Sequence, residues 1–488
     1  MERNKIKVFS IWNKDNNQIM LLFFISILVV YYLPFRLNQL IFFIFIFLAY
    51  RSKKDYLWIA FFLILIDAPG RLFQGGLITD IHRIAFYPII PGITLRFEEL
   101  FTFMYIFKSI DLKRKFPFIF KKDFFFLFFF TLFVLIYSLI LGMSSSTMVY
   151  IFRMLISWSF IYVIVKLFTK EFDFDKLNRL LFPMVFLALI SQIYSYLTGN
   201  YIGRFLKGAS FRADLLMISA DSEKVARAAD SSIILLYCFT MALFYMFLKR
   251  QVFSRRYLYL IIVISMFSVF LSATRGYIIA FFFSYLTAFF MVRKSTKMKY
   301  FVRIGIFALI VITIVSFFFP LIKAQMNKVT DRALTMVSLV EGDITARGTL
   351  SRLDIRGPQV MKKFYESSLL GWGFSDEYFK YRDGHVGHQN ILLNVGIIGY
   401  IILNFFYFKW CIRIYLFART EQAKENYGKN TIKILCFAFV AMYIIHSSSA
   451  QSWGFDIGIS KILFYSLLFA FFNIIYRNTA LLHNEGNR

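Results

Sequence analysis

The chain has 488 residues, of which 59% are hydrophobic and 20% aromatic, and it carries a formal net charge of +28. Such apolar content excludes an ordinary soluble fold, whose surface helices need frequent charge. The charge first suggests an anionic partner, but the basic residues cluster between apolar runs and mostly on one side, which is a topology signal and excludes a nucleic-acid surface.

In chain order, Met1–Asn17 is basic and precedes a hydrophobic run without a small-residue cleavage site, so an uncleaved first helix is expected rather than a signal peptide. Runs such as Leu21–Leu33, Phe124–Leu141 and Phe301–Phe319 are too long for core strands. A hydrocarbon core of ~30 Å takes ~20 apolar residues in a helix. The expected membrane helices are 19–35, 37–50, 56–67, 97–110, 124–142, 149–168, 180–198, 231–248, 257–273, 276–292, 301–319, 391–411, 431–449 and 458–476. The predicted fold class is all-α: a polytopic transmembrane bundle of about 12–14 helices with one large outer loop. Residues 1–319 hold the first eleven helices, 320–390 the large, mostly helical loop, and 391–488 the last three helices and a tail. Arg51-Ser-Lys-Lys54, Lys113-Arg-Lys115, Lys121-Lys122, Lys249-Arg250, Arg255-Arg256 and Arg293-Lys294 all fall on the side that holds both termini, which the positive-inside rule makes cytoplasmic.

Segment 68–96 is broken by Gly70, Gly75, Gly76, Pro88, Pro91 and Gly92, and is expected to line a cavity or lie at the membrane interface. No fixed-period repeat is visible. Three outer loops stand out: 199–230, the tight turn Ser272-Ala-Thr-Arg-Gly276, and 320–390. The last is too long for an idle connection. Within it, Lys323–Leu339 and Ser351–Phe364 have helix-like apolar spacing, and Gly371-Trp-Gly373 marks a turn before a helix re-enters at Ile391. Cys238, Cys411 and Cys436 lie in apolar runs without disulfide or zinc spacing.

Four of the five histidines, His82, His385, His388 and His446, fall on the outer side, where an imidazole with a pKa of ~6.5 can take a proton. Arg275, confined to the tight turn, must lie near the hydrocarbon boundary, where a guanidinium faces a cavity, pairs or binds an anion. Arg227 precedes the helix at 231–248, whose N-terminus would favour an anion, with Arg204 and Arg212 competing in the same loop. A packed loop histidine and a snorkelling arginine are the plainer readings of each residue alone. There is no P-loop, GxSxG or HExxH, and no Asp-x-Asp pair in the outer loops, so neither metal nor cofactor is expected.

Three segments together resemble the O-antigen ligase and O-antigen polymerase superfamily. Leu271-Ser-Ala-Thr-Arg-Gly276 resembles its S-x-R-G turn. Gly371-Trp-Gly373, after Arg352 and Arg356, resembles the G-x-G stretch of its large periplasmic loop. His388-Gln-Asn-Ile-Leu-Leu-Asn-Val-Gly-Ile-Ile-Gly399 resembles its H-N…G-I-I-G helix entry. The resemblance covers roughly residues 180–420. Here Gln389 separates His388 from Asn390, so His385 competes for the histidine's place.

The resemblance implies a metal-independent glycosyltransferase of the bacterial inner membrane with its active site facing the periplasm. It would move a glycan from undecaprenyl diphosphate to an acceptor sugar hydroxyl. His388 would be the general base, with Arg275 and Arg227 also catalytic. Arg352, Arg356, Asn390, Arg212 and His385 would bind substrate. Its partners would be the lipid-linked oligosaccharide, the acceptor glycan, membrane lipids and a chain-length regulator protein, with no nucleic acid. A polymerase is favoured; a ligase that moves finished polymer to lipid A–core shares the motifs. A flippase or other secondary transporter would instead predict two similar halves and short external loops.

Overall fold

The computed structural model describes residues 13–67, 86–90, 93–111, 118–198, 217–220, 223–226, 232–272, 274–292, 302–303, 305–306, 310, 355–448 and 451–486. The described chain is almost entirely helical, and six of its helices are long and apolar enough to cross a membrane: Lys14–Tyr32, Lys121–Ile140, Ser145–Leu167, Glu171–Tyr194, Gly387–Phe417 and Ile459–Thr479. They mark a multi-pass membrane protein.

The helices follow apolar composition, and polar residues set their ends. α1 (Lys14–Tyr32) starts with a capping box between Asn13 and Asn16. Pro34 begins α2 (Phe35–Arg51), and α3 spans Asp55–Ile66. β1 (Phe86–Ile90) and β2 (Ile93–Arg96) then form an antiparallel hairpin that runs directly into α4 (Phe97–Asp111). This hairpin corrects the all-α expectation locally. A second one, β3 (Met217–Ala220) with β4 (Glu223–Ala226), lies in the expected 199–230 loop.

α5 (Lys121–Ile140), α6 (Ser145–Leu167), α7 (Glu171–Leu181) and α8 (Pro183–Thr198) follow, with Ser144 capping α6. The helix expected at 180–198 is thus joined to an earlier stretch, because α7 leads into α8 through Phe182, itself in helical conformation. α9 (Ser232–Phe247) is buried along its length. α10 (Arg255–Leu271) and α11 (Arg275–Val292) flank the expected tight turn. The helix expected at 301–319 and the stretch Lys323–Leu339 lie largely or wholly outside the described residues.

The chain continues with α12 (Gly357–Tyr365), α13 (Asp376–Tyr381), α14 (Gly387–Phe417), α15 (Glu421–Tyr427), α16 (Lys433–Ser448) and α17 (Ile459–Gly486). α17 packs on α6 at the centre of the bundle, and its residues Ile462–Leu468 are buried. Aromatic rings fill the space around it, with Trp410 stacked on Phe124 at 5.1 Å and edge-on to Phe469 at 4.9 Å. A carboxylate buried near one end of the bundle is paired. Lys409 meets Asp123 at 2.6 Å, and Trp410 Nε1 donates to the other oxygen of that carboxylate at 3.1 Å.

One end of the bundle gathers the start of α1 and the end of α17. There Lys54 binds Asp15 at 2.8 Å, Arg250 binds Glu171 at 2.9 Å, and Asn478 donates to Glu171 at 2.8 Å. The opposite end carries a small cap. α12, α13 and the first turns of α14 share a separate core of Val360, Phe364, Tyr378, Val386 and Leu393. Val360 and Phe364, four residues apart, lie on one face of α12, as the apolar spacing within 351–364 predicts.

Candidate functional site

α14 positions the site. It begins at Gly387 rather than at Ile391, so His388 sits in the first turn of the helix and not in the loop before it. The helix breaks at Gly396, whose backbone is left-handed with φ 65°. The hydrogen bonds lost at the break are made up from outside. Leu393 O would normally accept from Ile397 N. It accepts from Trp372 N at 2.8 Å instead, while Ile397 N donates to Ser368 O at 2.9 Å and Ile398 N to Leu369 O at 3.3 Å. The Gly371-Trp-Gly373 turn and the second glycine motif are therefore one structure. A Cβ on Gly371 would stand 2.5 Å from Gly396 N.

The break also lets Tyr400 reach back to His388. In an unbroken helix, residues twelve apart are separated by about 18 Å. Here the Tyr400 hydroxyl lies 3.1 Å from His388 Nδ1. On the other side of the ring, Ser447 Oγ lies 2.8 Å from Nε2 and itself donates to Tyr443 O at 2.9 Å. These partners assign the tautomer: Nε2 carries the proton and donates to Ser447, and Nδ1 accepts from Tyr400. Half-buried His388 thus has one basic nitrogen, under a phenol.

His446, at the end of α16, faces His388 with ring centroids 4.7 Å apart. It is fully buried, and its Nδ1 accepts from the backbone amides of Ser452 and Trp453 at 3.1 and 3.3 Å. Gly387 makes this approach possible, because a Cβ there would stand 2.5 Å from His446 O and 2.6 Å from its ring.

Asn390 is buried and its amide is engaged. Oδ1 accepts from Asp383 N at 3.0 Å, and Nδ2 donates to Asp383 O and, at 3.1 Å, to Gln451 Oε1. It braces the 383–390 loop. Asp383 also pairs with Arg356 at 3.6 Å and accepts from His385 N at 2.8 Å. His385 is exposed on that loop. Lys461 Nζ donates to Gln451 O and so closes the loop against α17.

A third cluster ties the cap to the bundle. Buried Asp456 accepts from Tyr150 at 2.6 Å and from Tyr378 at 2.9 Å, and forms an ion pair with Arg382. Burial opposes the charged form of Arg382, but Asp456 outweighs it and holds the guanidinium above its ordinary range.

Arg275 is the first residue of α11. Asn430, just before α16, donates to Met291 O near the end of α11 at 3.0 Å, and Phe283 meets Phe437 midway along the pair. The two helices are therefore antiparallel, and the start of α11 lies at the same end as His446. Arg212, Arg227 and Arg352, with Arg204 and His82, lie outside the described residues. His388, His385, Asn390 and Arg356 come together around the 383–390 loop.

His446, Tyr400, Ser447, Gln451, Arg382 and Asp456 were not legible as site residues. The only signal for His446 was its scarcity and its side of the membrane. No protein-family model matches this chain, and no curated protein matches it in sequence.

Proposed function

We propose that the chain is a glycosyltransferase of the O-antigen polymerase type, set in a bacterial inner membrane with its site facing the periplasm. The observation that carries this reading is the convergence at one end of the bundle. His388 offers a single basic nitrogen there, and the start of α11, with Arg275, lies at that end. The acceptor hydroxyl oxygen attacks the anomeric carbon of the lipid-linked glycan. The carbon–oxygen bond to the diphosphate breaks, and undecaprenyl diphosphate leaves with the electron pair. The acceptor proton goes to His388 Nδ1, either after Tyr400 yields its place or through the Tyr400 hydroxyl. Fixed cations answer the leaving diphosphate: Arg275 and Arg227 first, then Arg352, Arg356 and Arg212. His385 and the Arg356–Asp383 pair flank the approach of the acceptor.

The test expresses His388→Ala and His385→Ala at matched membrane levels in a strain lacking its own copy. His388→Ala should lower product by roughly 10²–10⁴-fold. A dependence on His385 alone would move the base to that residue, and indifference to both would refute histidine catalysis. The product also separates the two chemistries. Single repeats left on lipid A–core mark loss of a polymerase, whereas polymer left on its lipid carrier marks loss of a ligase. Transport of lipid-linked glycan without any new glycosidic bond would mark a flippase instead.

A further inference from the structure

The turn between α12 and α13, residues 366–374, does not stand clear of the bundle. It lies along α14 at the Gly396 break and along the last turns of α5, where Tyr137 donates to Gly371 O at 3.3 Å and Phe374 N donates to Ser138 Oγ at 2.7 Å. Both neighbours report its depth. Near the other end, Lys409 pairs with Asp123, in the first turn of α5, and Arg413 donates to Ile119 O at 3.4 Å, which marks the charged boundary there. From Lys409 back to Ile398 is about 16 Å of helix, and from Asp123 to Ser138 about 22 Å. A hydrocarbon core of about 30 Å extends past both. The turn therefore reaches hydrocarbon depth.

Non-helical backbone survives at that depth only where protein satisfies its polar groups. Here it does. Besides the three bonds across the break, Gly371 N donates to Ser367 O at 2.9 Å, Ser367 N to Phe364 O at 3.0 Å, and Ser367 Oγ to Gly371 O at 2.8 Å. What the turn presents outward is apolar: Leu369 is 66% exposed and Leu370 37%. They continue the exposed stripe of α14 formed by Ile397, Ile398, Ile401 and Phe405. Beside them stand Tyr365, Trp372 and Tyr381, with Lys363 Nζ 3.9 Å from the Trp372 ring centre, the aromatic and basic makeup of a headgroup layer.

The geometry points to a re-entrant element: the turn 366–371 inserts Leu369 and Leu370 among the acyl chains of the leaflet on His388's side. This rests on the multi-pass membrane fold and not on the glycosyltransferase reading. It makes the outer wall of the candidate site a surface in direct contact with lipid.

The test uses the full chain in phosphatidylcholine nanodiscs, with single cysteines introduced as Leu369→Cys, Leu370→Cys, Ile401→Cys and Lys380→Cys. The native cysteines are buried. A thiol held in hydrocarbon stays protonated, so a water-soluble maleimide should label Leu369→Cys at least roughly tenfold more slowly than Lys380→Cys. A bimane label at Leu369→Cys or Leu370→Cys should be quenched by acyl-chain-brominated lipid as strongly as one at Ile401→Cys. Labelling as fast as Lys380→Cys, without lipid quenching, would overturn the inference. So would protection from both reagents, which would mean that a protein covers the turn.

Discussion

Removing the Asp456 carboxylate should loosen the cap from the bundle and leave the bundle folded. Asp456 accepts from Tyr150, Tyr378 and Arg382, which belong to α6, α13 and the residue following α13. Tyr378 is fully buried, so its stranded hydroxyl costs about 1–3 kcal/mol. Breaking a buried ion pair costs about 3–5 kcal/mol. The Arg382 side chain is 32% exposed and regains water, which puts its share at the low end of that range. The two together come to at least about 4 kcal/mol, which corresponds to roughly a thousandfold more frequent local opening. Hydrogen-exchange mass spectrometry of Asp456→Ala should show that acceleration in peptides covering residues 376–381, with α1 unchanged. Asp456→Asn, which keeps one carbonyl oxygen, should show less. Unchanged exchange in α13, or equal acceleration in α1, would refute the reasoning.

Gly387→Ala should destabilise the start of α14 by about 1–3 kcal/mol, seen as faster local exchange, because its Cβ meets the His446 backbone and ring. Gly384→Ala, with open space around it, is the neutral control. Hydrogen bonds from Thr147 and Ser144 hold the Asp376 carboxyl below its usual range. A lowered folded value contributes stability above the unfolded carboxylate pKa and loses it as pH falls through the folded one. The α6–α13 contact should therefore open to protease below about pH 4, and Asp376→Asn should remove that pH dependence. On the glycosyltransferase reading, Arg275→Lys keeps the charge but loses the planar fork, and should remove most product in the same complementation assay.

Helix positions were largely legible because apolar run length is a strong signal in a membrane chain. The break between Leu271 and Arg275 and the turn at Gly371-Trp-Gly373 were legible from local chemistry. The β1–β2 hairpin carried a signal too, Pro91-Gly92 between β-branched and aromatic runs, but the weight of apolar composition around it favoured a membrane-depth loop. Gly396 was legible only as part of a motif. Its left-handed backbone comes from the turn that replaces the helix's own hydrogen bonds, which is a tertiary cause. The same holds for His446 and Asp456. Each is an unremarkable polar residue until folding sets it against a partner far away in the chain, and composition has no access to such pairings. Asn390 shows the same limit from the other side: its place beside a candidate base was legible, but its bonds across the 383–390 loop were not.

The break at Gly396 divides α14 into two levers. Its first turns pack on the cap through Leu393 and on the bundle through Ile391 and Val395, and its remainder packs into the bundle through Tyr407 and Trp410. The bond between His388 and Tyr400 spans that division, with one partner on each lever. A rotation of the cap against the bundle would change that distance together with the bonds from Ile397 and Ile398 to the turn at 368–369, so the surroundings of His388 are tied to the angle between the two halves of a single helix.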